Sequence, residues 1–395
     1  MKYCSFVAIS ILIMEDEFIL RKQAAELYLK SDSISDISRK LGRSRQWVYK
    51  WITRYRTKGG DTWYLSESTS PKHSSNRVAL QKEELVVNVR KALEGRAYSQ
   101  TGALSIMYEI EHLGLKPPSI PTINRILKRN NLINLSSVKQ RKGIEYPNHF
   151  TLVQQMDLVG PRYLTGGSRF YFQNIIDTEN HHAGVYPIKD KRSITIANSI
   201  VHFWTVYGMP DYLQMDNELT FRGSNRFPRN FGIVLRLILS QGVTPIFIPP
   251  SEPWRNGVIE KFNWNLFKYF YATQKFSSYE ALEKKAPEFS DFHNLNHRYS
   301  SQRGRCPNQI HSICQDHKLK SINLEDPIPL VNGSVIFIRF IRSDRRLSIL
   351  GTGFIVKEEL VYTYVIAEIV IDKHVLLVSQ DSIIHHVFPF AMPVD

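Results

Sequence analysis

An all-α N-terminal part built of helix-turn-helix units, a central α/β domain and a small C-terminal all-β barrel form the multidomain fold class this sequence predicts. Three observations predict it. At 395 residues the chain is longer than one small core organises. Its hydrophobic pattern changes twice: from helical spacing to strands near residue 150, and to closely spaced strands after Pro327. Its charge is also lopsided. Residues 1–150 carry 25 Lys+Arg against 14 Asp+Glu, while residues 151–395 carry 26 against 23. With 43% hydrophobic and 22% charged residues, general disorder is excluded. A basic first third suits a polyanionic partner, because each neutralised phosphate releases condensed counterions. The same excess also suits a merely soluble basic protein.

The elements follow in order. Cys4–Met14 is the one apolar run near a terminus, far short of the roughly 20 residues a spanning helix needs. It lacks a small-residue cleavage site, so Met14 is expected to be the biological start. The cysteines Cys4, Cys306 and Cys314 form no C-x-x-C pair, which argues against a disulfide framework and fits a reducing, cytoplasmic setting. A packed helix is expected from Glu15 to about Lys30. Ser33 with Asp36 three residues on reads as a capping box, opening a short helix that ends at Gly42. Ser44 then caps a second helix to about Arg56, with Val48, Trp51 and Ile52 inward. Residues 15–58 thus read as a helix-turn-helix. Arg43, Arg45, Gln46, Tyr49 and Lys50 crowd the start of its second helix, where such a helix meets base edges and phosphates. A helical hairpin with a solvated basic face is the alternative.

Residues 58–77 are Gly-, Ser- and Pro-rich, a linker. A second, winged-helix-like unit is expected over 78–135, with helices near 80–93, 101–113 and 121–129. Arg125, Lys128 and Arg129 make its last helix a second candidate reader, or a packing helix. The basic Lys139–Lys142 leads onward. From Phe150, three runs rich in aromatic and β-branched residues predict successive strands. Helix and strand then alternate: a helix at 194–207, a strand at 212–216, a helix at 231–239, a strand at 245–248, then helices at 256–273 and 279–295. That order predicts a mixed sheet between helices over 150–310. Four or five strands over 328–384 suit a small barrel. Its arginines Arg339, Arg342, Arg345 and Arg346 suit either a DNA backbone or a solvated edge.

Three carboxylates carry the chemistry. Asp157 closes the first core strand, Asp216 closes the fourth, and Glu260 lies one turn into the long helix. Carboxylates from two strand ends and a facing helix can converge, and hard oxygen ligands suit Mg²⁺ or Mn²⁺. Two such ions about 4 Å apart serve phosphodiester chemistry. A lone Asp after an apolar run is usually a cap, so the case rests on the set.

QMDLVGP around Asp157, QMDNELTF around Asp216 and IPPSEPWRNGVIEKFNWNLFK around Glu260 resemble the integrase core. That core is shared by retroviral integrases and bacterial insertion-sequence transposases. HNLNHRYSSQRGRCPNQ resembles the segment that follows it. The resemblance implies an RNase H-like core with a D,D,E triad. Asp157 would bridge two Mg²⁺ ions, Asp216 would hold one and Glu260 the other. It also implies double-stranded DNA as partner, both as element ends and as target, a homodimer or tetramer on that DNA, and a prokaryotic, nucleoid-associated protein. No membrane and no nucleotide cofactor are expected, since no P-loop occurs. Asn217, Asn256 and Asn263 are candidates to support the triad or touch DNA, and Lys261 and Lys268 to touch phosphates.

Two departures stand out. The family's D-N-G reads Asp216-Asn217-Glu218 here, so Glu218 either sits in ordinary backbone geometry or adds negative charge to the site. Asp216 and Glu260 are 44 positions apart, the surplus reading as a basic loop and an amphipathic helix. The expected activity is a transposase that frees a 3′-OH and joins it to target DNA. A catalytically inactive DNA-binding protein or repressor is the alternative, and a nuclease on RNA–DNA hybrids a further one. His293 and His297 with Cys306 lack a second Cys at zinc-ligand spacing.

Overall fold

The computed structural model describes residues 17–58, 60–67, 78–133, 144–224, 226–227, 229–311 and 313–393. Met14, the residues before it and Lys139–Lys142 lie outside these. The chain divides into two compact units, Met1–Arg77 and Val78–Asp395.

In the first unit residues 17–29 are helical (α1), followed by α2 (Ile34–Leu41) and α3 (Arg45–Lys58). Ser33 caps α2 by accepting from the Asp36 N–H, and Gly42 ends it at φ 62°, a left-handed turn that glycine makes at no Cβ cost. Ser44 caps α3 through the Trp47 N–H. Ala24, Ile37, Val48 and Ile52 close the three-helix core. Within the expected linker, residues 60–67 hold packed side chains. Trp63 packs on Trp51 and Ala25, and Tyr64 meets Phe18 edge-on, because two large aromatics gain more by burial than loop composition costs.

The second unit opens with α4 (Leu80–Gly95), α5 (Ala103–His112) and α6 (Ile120–Arg129), closed around Val86, Val89, Ile106, Ile123 and Ile126. Strands β1 (Val153–Tyr163), β2 (Arg169–Asp177) and β3 (Ala183–Ile188) then form an antiparallel meander. After α7 (Ser193–Tyr207), β4 (Tyr212–Met215) returns parallel to β1. A short α8 (Leu219–Arg222) and α9 (Ile233–Ser240) lead to β5 (Thr244–Phe247), parallel to β4. Helices α10 (Gly257–Tyr269) and α11 (Tyr279–Asn296) complete the α/β core. This is the mixed sheet between helices that the sequence predicts. α9 is more than amphipathic: Val234, Leu235, Leu237, Ile238 and Leu239 are all buried.

Asp157 does not close its strand. β1 runs on to Tyr163 through a register shift between Val159 and Arg162, so Asp157 sits mid-strand. The shift falls at Gly160–Pro161, where Pro161 has no N–H to give a ladder.

The C-terminal strands are β6 (Ser334–Phe340), β7 (Arg346–Ile349), β8 (Thr352–Ile355), β9 (Tyr364–Val370), β10 (Val375–Gln380) and β11 (Ile383–Pro389). The strand-rich region is present, and four of its strands continue the core sheet. Nine strands run in the order β11-β10-β9-β6-β5-β4-β1-β2-β3, with β6 parallel to β5, while β7 and β8 form a separate hairpin. The reason lies in β6. Val335 and Phe337 join one apolar cluster and Ile336 and Ile338 another. A strand apolar on both faces belongs inside a sheet.

Candidate active site

Strand alternation sets the site. Met156 of β1 and Leu213 and Met215 of β4 face the cluster under α7 and α9. Gln155, Asp157 and Gln214, with Asp216 just beyond β4, therefore face α10. Gln154 pairs with Leu213 and Gln155 with Gln214; continued two residues, that register sets Asp157 beside Asp216.

α10 is pinned over this pair by polar contacts. The Ile259 N–H donates to Gln155 Oε1 at 3.0 Å. Asn256 Nδ2 donates to the Met156 carbonyl at 3.2 Å, and Gln214 Nε2 to Asn256 Oδ1 at 2.9 Å. Ile259, Phe262 and Leu266 bury the helix against Phe170, Phe172 and Phe289. One turn past Glu260, Asn263 Nδ2 donates to Asp157 Oδ2 at 2.6 Å, and Asn174 Nδ2 donates to Asn263 Oδ1 at 2.7 Å. An ionised carboxylate only accepts, so Asp157 fixes both amide orientations. Asn174 lies opposite Asp157 in the β1–β2 register, and its buried Oδ1 has no partner.

Burial pushes the Asp157 carboxyl above its ordinary range, helped by the charges of Glu260 and Glu218, against hydrogen bonds from the Leu158 N–H and Asn263. Burial likewise raises Asp216, helped by Asp157 and Glu218, against the Glu218 N–H and Lys191. The carboxylates thus share one field. Glu218 does both things the sequence allowed. It has ordinary backbone angles (φ −61°, ψ 138°), and it adds charge, offset by an ion pair with Lys191. Glu260 is exposed on the first turn of α10. Among the described residues, no three His, Cys, Asp or Glu side chains stand close enough to hold a metal ion. The donor chemistry nevertheless fits a hard divalent cation: carboxylate oxygens on one face, with the orphaned Asn174 oxygen on that face too.

The supporting asparagines are committed inside the protein. Asn256 is buried, Asn263 holds Asp157, and Asn217 donates to the Ile248 carbonyl at 2.6 Å. Gln155 and Gln214 were missed by sequence reasoning. Their signal was there: the tripeptide Gln-Met-Asp occurs at both 155–157 and 214–216, and the two copies lie side by side.

The candidate DNA-binding residues divide. On α3, Arg45, Gln46, Tyr49 and Lys50 are exposed, whereas Arg43 is half-buried and ion-paired with Glu17. On α6, Arg125 and Lys128 are exposed, but Arg129 grips the buried Glu83 through two hydrogen bonds, so it ties α6 to α4. Lys261 and Lys268 flank the exposed Trp264 ring at 3.9 and 4.8 Å. Of the C-terminal arginines, Arg345 Nε donates to the Val356 carbonyl, and the half-buried Arg339 turns to the Ile248 carbonyl. His293 and His297 meet through their Nδ1 atoms at 3.0 Å, and His297 Nε2 donates to the Tyr98 carbonyl at 2.7 Å. No helix among the described residues is long and apolar enough to cross a membrane.

Residues 17–62 match the homeodomain-like domain family. Among solved structures, the chain is similar to the HTLV-2 integrase catalytic core domain in complex with magnesium. Identity is 16%, the TM-score 0.31, and the match covers 40% of this chain and 95% of that one. The BIV integrase catalytic core matches at 16% identity and TM-score 0.30, covering 40% and 91%. A simian T-cell lymphotropic virus intasome in complex with the PP2A regulatory subunit B56 gamma matches at 13% and 0.34, covering 74% and 93%. Identities and scores this low leave the assignment to the geometry. The N-terminal unit is a homeodomain-like helix-turn-helix domain, and an α/β core and a strand-rich region follow the helices of the second unit.

Proposed function

We propose that this protein is a transposase of the insertion-sequence type, which cuts and joins DNA at a site made by Asp157, Asp216 and Glu260. One observation carries the reading: Asp157 of β1 and Asp216, just beyond the adjacent parallel β4, face a helix that bears Glu260 and is pinned over the sheet by Asn256 and Asn263. Asp157 and Asp216, with Glu260 swinging in from the first turn of α10, would hold Mg²⁺ or Mn²⁺. When bound, two such ions supply activation of an attacking oxygen and stabilisation of a leaving one in an in-line displacement. Asn263 keeps Asp157 aimed, and the buried strands keep water from its rear.

In this reading Arg45, Gln46, Tyr49 and Lys50 of α3 lie in the major groove of element ends. Arg125 and Lys128 add a second contact, and Lys261 and Lys268 meet phosphates beside the site. The core hydrolyses one phosphodiester at each end, water displacing the 3′-oxygen to leave a 3′-OH and a 5′-phosphate. That 3′-OH then attacks a target phosphodiester and displaces a target 3′-OH. Hydrolysis is downhill and strand transfer trades one phosphodiester for another, so no nucleotide cofactor is needed. Two ends must be held together, so a homodimer or tetramer on DNA is expected, in the cytoplasm of a prokaryote.

A second reading, a DNA-binding repressor that no longer cuts, is favoured by the extra charge of Glu218. One experiment separates them. DNA flanking the encoding gene is footprinted to find the ends, and strand transfer on those ends is measured with Mg²⁺ for the natural protein and Asp157→Asn. Joined product from the natural protein, lost by ~10³-fold or more in the variant with end binding unchanged, supports the transposase. Equal product from both, or none from either, removes it.

A further inference from the structure

We infer that the C-terminal strands belong to the catalytic machinery, with Arg339 of β6 and Tyr364 of β9 as positioning residues for the segments that carry Asp216 and Glu260. The inference rests on the function proposed above. Arg339 was a candidate for DNA backbone contact, yet its guanidinium points inward. Its Nη2 donates to Asn217 Oδ1 at 2.8 Å and its Nη1 to the Ile248 carbonyl at 3.1 Å. Asn217 follows Asp216 directly, and Asn217 Nδ2 also donates to the Ile248 carbonyl. From the other side, Arg222 Nε donates to the Asn217 carbonyl at 3.2 Å. Asn217 is therefore held at side chain and backbone, where the family pattern has a flexible glycine one residue later.

Tyr364 does the equivalent for Glu260. Its hydroxyl donates to the Glu252 carboxylate at 2.8 Å and accepts from Arg255 Nη2 at 2.8 Å. Arg255 Nε closes the triangle on Glu252 at 3.0 Å. Residues 252–256 run straight into α10 and end at Asn256, which is anchored on β1. Phe340 of β6 pairs with Tyr364 of β9, and Arg339 with Val365, so neighbouring positions on paired strands brace both acidic segments.

Arg339 is costly where it lies. Burial, with the nearby Arg222 charge, pushes it down to about 10, and the acceptors of its hydrogen bonds are an amide oxygen and two backbone carbonyls, all neutral. A half-buried guanidinium bonded to neutral acceptors is a poor device for stability. It is a good device for aim, because its fork fixes two acceptors at once.

The test uses the full chain with Arg339→Met, Arg339→Lys and Tyr364→Phe. Mn²⁺ binding is titrated without DNA, single-turnover strand transfer is measured at saturating ends, and end affinity and thermal midpoint are recorded. Removing a group that orients a ligand-bearing segment typically costs ~10–100-fold in metal affinity or activity. Arg339→Met should lose that much in Mn²⁺ affinity and rate, with end affinity within about twofold. Arg339→Lys should recover part, since an ammonium reaches one acceptor but lacks the fork. Tyr364→Phe, which deletes one hydroxyl, should fold and lose about 3–10-fold in the same two quantities; it decides the matter if Arg339→Met does not fold. Folded variants that bind Mn²⁺ and join ends like the natural protein overturn this inference alone. A natural protein that neither binds Mn²⁺ nor joins ends overturns the functional reading, and this inference with it.

Discussion

Arg45, Gln46, Tyr49 and Lys50 on α3 and the acidic pair Asp157 and Asp216 are built in opposite ways. The α3 side chains stand in solvent, and their helix is secured from behind by Val48, Trp51 and Ile52. The two aspartates are half-buried against the sheet, where Asn263, Asn174, Gln155, Gln214 and Asn256 tie down either the Asp157 carboxylate or the helix above. A surface that meets DNA keeps long side chains free to adapt. A site that must place oxygens to a fraction of an ångström spends buried amides on holding them. The one region is recognised by what its side chains leave untouched, the other by how much surrounds it.

That contrast can be broken first at Asn263. Asn263→Ala removes the donor to Asp157 and strands the Asn174 amide, so divalent-cation affinity should fall ~10–100-fold with end binding intact. Unchanged Mn²⁺ titrations would mean that the amide chain is ordinary packing. On α3 the expected effect is smaller for each residue. Arg45→Ala and Lys50→Ala should each weaken end binding about 10-fold and lower the salt dependence of binding by about one ion, leaving metal affinity alone. A salt slope that does not move would take these side chains off the DNA.

The smallest effect is on stability and has a definite sign. Asp157 and Asp216 are raised above their unfolded values, so the folded chain holds protons more readily than the unfolded one. Stability therefore falls as pH rises from the unfolded carboxylate range through the folded values, and at neutral pH both groups destabilise the metal-free protein. Asp157→Asn, measured in chelator, should melt higher than the natural protein at pH 7. The gap should close as pH drops below the ordinary aspartate range. A lower melting point at pH 7 would show that the carboxylate stabilises the fold.

The sequence made some of this legible and not the rest, for physical reasons. Helix caps at Ser33 and Ser44, and the aromatic and β-branched run around Phe170–Ile176, are local signals, and those elements formed where expected. The two Gln-Met-Asp tripeptides gave the site's elements but not the end of β1, because the bulge at Gly160–Pro161 depends on pairing with β2. Charge alone could not tell where Arg43, Arg129 and Arg339 turn: a basic side chain looks the same in sequence whether it stands in solvent or grips Glu17, Glu83 or Asn217. Trp63 in an otherwise loop-like stretch, and β6 apolar at four successive positions, each signalled burial without naming the surface that provides it.

The parallel seam between β5 and β6 has a consequence for how the molecule can be taken apart. A fragment ending near residue 310, where the α/β core looks complete, would leave β5 with bare N–H and C=O groups along its outer side and Phe247 without the ring of Phe337 that stacks on it at 4.9 Å. An unprotected, apolar strand of that kind recruits any other strand it meets. Cut there, the protein would trade a self-contained sheet for a sticky one, so a well-behaved piece that holds the α/β core extends through β11.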